Sequence, residues 1–244
     1  VASVGIINAI NLIDGVNGLS SGYCITACTM FGTLFYLSGD MKMTILAAVS
    51  VGALIPFFLH NVFGKTSKMF IGDGGTLVMG VVITVFVIET LRSGSSCGAY
   101  VEPRVGLVPF SLAVLCIPVF DTLRVMFSRI LRGVSPFRPD KTHLHHMFIN
   151  LGCSHAAVTL AIVALNTSVV LCWWGLTRLE VSIDVQLYAV VVMGFLVTFG
   201  LYHFMEWHLR RNTSFLRAVR RLGYRTHVSR RGVFLRMQHF LDRL

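Results

Sequence analysis

Hydrophobic runs of about 20 residues recur along this chain between short polar connections, and this pattern limits its fold more than any other feature. Coiled as a helix, such a run covers roughly 30 Å of hydrocarbon, and a helix is the open-ended element that satisfies its own backbone groups in lipid. Six runs are expected to be full spans, at residues 22–37, 43–63, 76–91, 106–127, 156–176 and 185–204. The chain opens inside another apolar helix, 1–13, without an initiating Met, signal peptide or polar leader, so a fragment of a longer protein is expected. With 55% hydrophobic and 13% charged residues, the composition is the reverse of a soluble surface. The expected fold class is all-α: a polytopic transmembrane helical bundle with a partial N-terminal span. Its single domain is expected at residues 1–208, followed by a basic tail at 209–244.

Lys and Arg are retained on the cytoplasmic side of such bundles, so their distribution gives an orientation. Seventeen fall on one side: Lys65 and Lys68; Arg124, Arg129, Arg132, Arg138 and Lys141; and ten arginines from Arg210 to Arg243. The other side holds Lys42, Arg92, Arg104 and Arg178. The short loops alone give seven against four, so the tail is not the whole signal. The tail also carries most of the net charge of +10, and contact with membrane lipids accounts for it without nucleic acid. No Cys-x-x-Cys or Cys/His zinc spacing occurs, and the six cysteines read as small apolar packing residues.

The outer connections are chemically bland, whereas three inner segments collect polar residues. The first runs from Asn8 through Asn11, Asp14, Gly15 and Asn17 to Gly18 and Leu19. Asn8 and Asn11 share a helix face, and Asp14 follows at the helix end, where the glycines permit a sharp turn. Amide and carboxylate oxygens there suit Mg²⁺ or the hydroxyls of a sugar; taken alone, the segment is equally a capped helix and an Asn/Gly turn. The second is Lys65-Thr-Ser-Lys68-Met-Phe70-Ile-Gly72-Asp73-Gly74-Gly75-Thr76, directly before a span. Lysines, glycines and helix N-terminal amides suit a diphosphate, and Asp73 belongs beside that anion only if a cation lies between them. The plainer alternative makes Asp73 the cap of a helix starting near Thr76.

The third segment runs from Asp121 and Arg124 to Ser135-Pro-Phe-Arg-Pro-Asp140-Lys141-Thr-His143-Leu-His145-His146. An ionisable group near the inner end of a span is functional by default, although Arg124 one turn on also offers Asp121 a structural partner. Imidazoles titrate near neutrality and can exchange protons or donate hydrogen bonds to phosphate. A histidine-only zinc site competes, but the neighbouring oxygen ligands favour Mg²⁺. His60, His155, His203, His208, His227 and His239 do not cluster in sequence and read as interfacial.

Together these segments resemble the polyprenyl-phosphate N-acetylhexosamine-1-phosphate transferase superfamily, which includes WecA-type and MraY-type enzymes. The resemblance rests on Asn8-x-x-Asn11-x-x-Asp14-Gly15-x-x-Gly18-Leu19, on Phe70-Ile-Gly72-Asp73-Gly74-Gly75-Thr76, and on Asp121-Thr-Leu-Arg124 followed by the Pro-Asp140 and His143-Leu-His145-His146 loop. It covers the chain to about Leu151. It implies transfer of a sugar 1-phosphate from a UDP-sugar to undecaprenyl or another polyprenyl phosphate, with release of UMP. It further implies Mg²⁺, replaceable by Mn²⁺, on Asp73 with Asn11, and Phe70 stacked on uracil. Asp14, Asp73, His143, His145 and His146 would be catalytic. Asn8, Asn11, Asn17, Lys68, Phe70, Asp121 and Arg124 would bind substrate.

The histidine loop is closer to the WecA type, which initiates surface polysaccharides or wall polymers, than to the MraY type, which takes a muramoyl-pentapeptide. A bacterial plasma membrane with a cytoplasmic active site follows from the same resemblance, and homodimerisation stays open. Two departures matter. Asn17 stands where the family often has Asp, and the family's Asp-Asp pair from an earlier loop does not occur here. That pair is expected upstream of Val1, so the piece alone is not expected to turn over. A transporter is the rival from another class, but it calls for charge near the bilayer midplane. Asp14, Asp73 and Asp121 all fall at inner helix ends, and a purely structural subunit accounts for none of the three segments.

Overall fold

A computed structural model describes residues 1–102, 104–136, 142–226 and 232–243. Residues 137–141, with Arg138, Asp140 and Lys141, lie outside the described residues, as do 227–231 with His227, Arg230 and Arg231. The described chain is helical, with no strand. Its helices are α1 (Ala2–Leu12), α2 (Leu19–Leu37), α3 (Met41–Phe63), α4 (Gly72–Leu91), α5 (Ser96–Tyr100), α6 (Leu107–Val114) and α7 (Cys116–Leu131). They continue as α8 (Leu144–Asn150), α9 (His155–Arg178), α10 (Ile183–Phe195), α11 (Leu201–Arg211), α12 (Ser214–Arg225) and α13 (Gly232–Leu241). One π-helical turn, Leu196–Gly200, joins α10 to α11.

The expected six full spans resolve differently. Helices α3, α4, α9 and the continuous Ile183–Arg211 run are each long and apolar enough to cross a membrane. The run at 106–127 is instead a pair of helices, α6 and α7, bent by 71° at Leu115. Pro118 supplies the cause: it has no N–H, and its ring crowds the carbonyl four residues earlier, that of Val114. Neighbouring helices satisfy the groups this frees. The Val114 carbonyl accepts from the Tyr23 hydroxyl (2.6 Å) and from Asn166 Nδ2 (2.9 Å), while the Ile117 N–H donates to Asn166 Oδ1 (3.0 Å). A broken helix survives in an apolar setting when its neighbours close such bonds.

Helix α2 is not among the membrane-length apolar helices, since serines and threonines interrupt its apolar residues. It lies at the centre of the bundle, packed by α3, α4, α5 and α9. Tyr23, Cys24, Ala27, Cys28, Phe31 and Phe35 are all buried. Phe31 meets Phe110 edge-on at 5.3 Å and Phe35 meets Phe86 at 5.4 Å, so α4 and α6 close on one aromatic core.

Connections of alternate parity gather at opposite ends. At the outer end, Arg104 pairs with Glu180, and the Gln186 amide donates to the Arg104 carbonyl. At the inner end lie residues 13–18, 64–71, 132–136 and 142–154. The tail returns to that end as well: α11 runs unbroken through the expected boundary at 208, and α12 then folds back. Leu216 is buried, and Thr226 Oγ1 accepts from the Ser154 N–H at 2.9 Å.

Candidate functional site

Helix α1 ends at Leu12 because a turn follows, and Gly18, at φ +80°, lets the chain re-enter α2. The connection at 13–18 joins the three inner segments. Before it, Asn11 Oδ1 accepts from the Thr76 hydroxyl, which ties the end of α1 to the first turns of α4. Within it, a Cβ on Gly15 would lie 2.5 Å from His145 Nε2, so the backbone and the imidazole of α8 are in direct apposition. The Asn17 N–H donates to His155 Nδ1 (3.1 Å), and its carbonyl accepts from Thr159 Oγ1 (3.0 Å). The Gly18 N–H donates to buried Asn61, whose amide in turn donates to the Met69 carbonyl. Asn61 thereby links the first connection to the segment carrying Lys68, Phe70 and Asp73.

Several acidic, amide and aromatic groups of these segments are exposed. Asp14 is exposed and accepts at Oδ1 from Ser20 Oγ (2.8 Å); Asn8 is exposed one turn before Asn11. Helix α4 begins at Gly72, four residues before the expected start, so Asp73 lies within the first turn and not at the N-cap, which is Ile71. Its exposed carboxylate still sits where the helix dipole favours an anion or a bound ion's ligand. Phe70 is 73% exposed, with Lys68 Nζ 5.4 Å from its ring centroid.

The third segment is built inward. Asp121 and Arg124 are each 2% exposed and form an ion pair at 2.8 Å. The other Asp121 oxygen meets His143 Nδ1 at 2.9 Å, and the Leu144 N–H donates to the same carboxylate at 3.2 Å. Arg124 also donates to the Thr142 carbonyl and lies 3.8 Å from the Tyr202 ring centroid. This buried group fixes where α8 starts and how His143 points. His143 and His145 stack at 5.7 Å, and His146 lies 4.3 Å from His145. Burial above all, and then the neighbouring His146 and His143, push the His145 imidazole down to about 3, far from the near-neutral titration of a free histidine. At pH 7 it is a neutral donor–acceptor.

Among the described residues, no group of three or more His, Cys, Asp or Glu side chains could hold a metal ion. Mg²⁺ does not require one, because it commonly takes one or two carboxylates, with phosphates and water completing the octahedron. Exposed Asp73, in the first turn of the helix whose Thr76 hydroxyl donates to the Asn11 amide oxygen, offers oxygen donors of that kind.

Residues missed from sequence are Asn61, Ser20, Tyr202 and His155, read there as interfacial or not singled out. Each acts through a partner distant in the chain, apart from Ser20, and no spacing signal reports such partners. A polar Asn at the inner end of an apolar helix was a signal available for Asn61.

Comparison with known proteins agrees with this arrangement. Residues 1–91 match the glycosyl transferase family 4 model. The chain is 27% identical over 221 residues to the undecaprenyl-phosphate alpha-N-acetylglucosaminyl 1-phosphate transferase of Escherichia coli K12, covering 88% of this chain and 56% of that protein. The protein of the same name from Yersinia pestis is 28% identical over 227 residues, or 91% of this chain and 60% of the relative. A probable undecaprenyl-phosphate N-acetylglucosaminyl 1-phosphate transferase of Bacillus subtilis 168 is 31% identical over 159 residues, 65% and 42% of the two chains. The chain thus spans about half the length of these curated relatives, and no solved structure matches it. By its three ordered motifs, its family-model match and these relatives, the chain is related to the polyprenyl-phosphate N-acetylhexosamine-1-phosphate transferases.

Proposed function

We propose that the protein containing this chain transfers an N-acetylhexosamine 1-phosphate from a UDP-sugar to a polyprenyl phosphate at the cytoplasmic face of a bacterial plasma membrane. The observation that carries the reading is the junction at 11–18, where Asn11 meets Thr76 and Gly15 meets His145. Three segments suited to one phosphate chemistry meet there, at one end of a bundle of membrane-length helices. The names of the relatives favour N-acetylglucosamine as the sugar and undecaprenyl phosphate as the acceptor. They count against the muramoyl-pentapeptide alternative and against transport.

In such a reaction, an oxygen of the carrier phosphate attacks the phosphorus that bears the sugar. The bond from that phosphorus to the bridging oxygen breaks, and UMP leaves with the electron pair. The nucleophile is already an anion, so the protein must chiefly position the groups and stabilise charge. Asp73, with Asn11, would hold Mg²⁺, which when bound neutralises charge on the diphosphate. Lys68 would face the same diphosphate, and exposed Phe70 would stack on the uracil. His143, aimed by Asp121, would donate to phosphate oxygens together with His146, while neutral His145 braces the Gly15 turn. Asp14, Asn8 and Asn17 would face the sugar hydroxyls. Asp121 and Arg124 would serve substrate binding through the loop they hold.

The test uses membranes carrying the complete gene product, undecaprenyl phosphate, Mg²⁺ and a panel of UDP-sugars. Carrier-dependent UMP release with a lipid-linked sugar diphosphate, abolished by EDTA, is expected with UDP-N-acetylglucosamine. Release only with UDP-MurNAc-pentapeptide would move the protein to the MraY type. No UMP from any donor, with folded protein verified, would overturn the transferase reading.

A further inference from the structure

The inner connection at 64–71 is held from an unexpected place. Near the end of the chain, Asp242 Oδ1 accepts from the N–H groups of Lys65 (3.0 Å), Thr66 (3.1 Å) and Ser67 (3.1 Å), and from the Ser67 hydroxyl (2.9 Å). Successive amides converging on one oxygen form an anion nest, and each bond is strengthened by the charge on its acceptor. These donors, the Lys65 N–H foremost, hold the Asp242 carboxyl well below the usual carboxylate range. The contact spans 175 to 177 positions of sequence and is delivered by α13. That helix is anchored by Phe234, 4.8 Å from Phe63 at the end of α3, and by buried Leu241.

The nest lies immediately before the residues proposed to meet the nucleotide. Ser67 Oγ is also 3.2 Å from His60 Nδ1, and the Met69 carbonyl takes the Asn61 amide. The segment is therefore pinned at Lys65, Thr66, Ser67 and Met69, leaving Lys68 and Phe70 between and beyond the pins. Without Asp242, three consecutive N–H groups lose their acceptor, and among the described residues the segment is then held by His60 and Asn61 of α3.

We propose that Asp242 is a positioning residue for donor binding: the tail's carboxylate fills the Lys65–Ser67 nest and thereby sets the Lys68–Phe70 segment against the uridine diphosphate moiety. This rests on the transferase reading above. The residue touches no reacting atom and acts through the loop.

The test compares wild type, Asp242→Ala and Asp242→Asn in the complete gene product, at matched membrane amounts. Losing bonds to a charged acceptor predicts a rise of about tenfold in KM for the UDP-sugar in Asp242→Ala. KM for the polyprenyl phosphate and kcat should stay within about twofold, and Asp242→Asn, which keeps an accepting oxygen, should recover part of the loss. Amide hydrogen exchange should quicken at Lys65, Thr66 and Ser67 in Asp242→Ala. Unchanged donor KM, or equal losses for both substrates, would overturn the positioning role. Unchanged exchange at the three amides would overturn the clamp even if wild type proves inactive. Faster exchange in a protein with no transferase activity would instead keep the clamp and remove the function it is proposed to serve.

Discussion

His145 shows how one residue's surroundings decide its chemistry. Its folded value of about 3 lies below the ordinary 6.5, so folding favours the neutral ring. The associated stability is complete above about pH 6.5 and is lost progressively as pH falls from there towards 3. Thermal unfolding of the detergent-solubilised protein should therefore shift to lower temperature across that window, and His145→Gln should flatten the slope. Asp121 makes the opposite demand, since its charge is required where it lies. Asp121→Ala leaves the Arg124 guanidinium buried without its carboxylate, and breaking a buried pair in this way costs about 3–5 kcal/mol. A melting curve should register that loss along with reduced transfer, because His143 loses the partner that aims it.

At the scale of elements, the broken α6–α7 pair rests on Asn166 of α9. Asn166→Leu should orphan the Ile117 N–H and leave the Val114 carbonyl to Tyr23 alone, at a cost of about 1–3 kcal/mol measured by thermal unfolding. Hydropathy did not reveal this break, since the run at 106–127 is apolar on both sides of Leu115 and only Pro118 marks it. Helix α2 differs from the other long helices for a related reason: its serines and threonines lower its hydropathy, as fits a helix wrapped by others. Helix ends were read more accurately. Residues 1–13 were expected as helix and α1 covers Ala2–Leu12, because the Asp14-Gly15 turn is a local signal. The start of α4 was placed late because Gly72, Gly74 and Gly75 read as loop, although they form its first turn.

Across the whole molecule, the all-α bundle and the inner collection of polar segments were legible because charge is scarce in this chain and stands out against apolar sequence. Asp14, Asp73, Asp121 and the three histidines were found that way. What holds them was not: Asn61 reaches Gly18 across 43 positions, His155 reaches Asn17 across 138, and Asp242 reaches Lys65 across 177. Such partners are set by helix packing, which spacing along the chain does not encode. The central claim is that these segments form one phosphate-transfer site with Asp73 as its metal ligand. It is tested most directly by Asp73→Asn in the complete gene product, with UMP release measured at equal amounts of inserted protein. Asp73 is exposed and is not the N-cap of α4, so the variant should insert normally and lose transfer by at least about a hundredfold. Transfer at the wild-type rate would contradict the metal-ligand role and with it the account of the site.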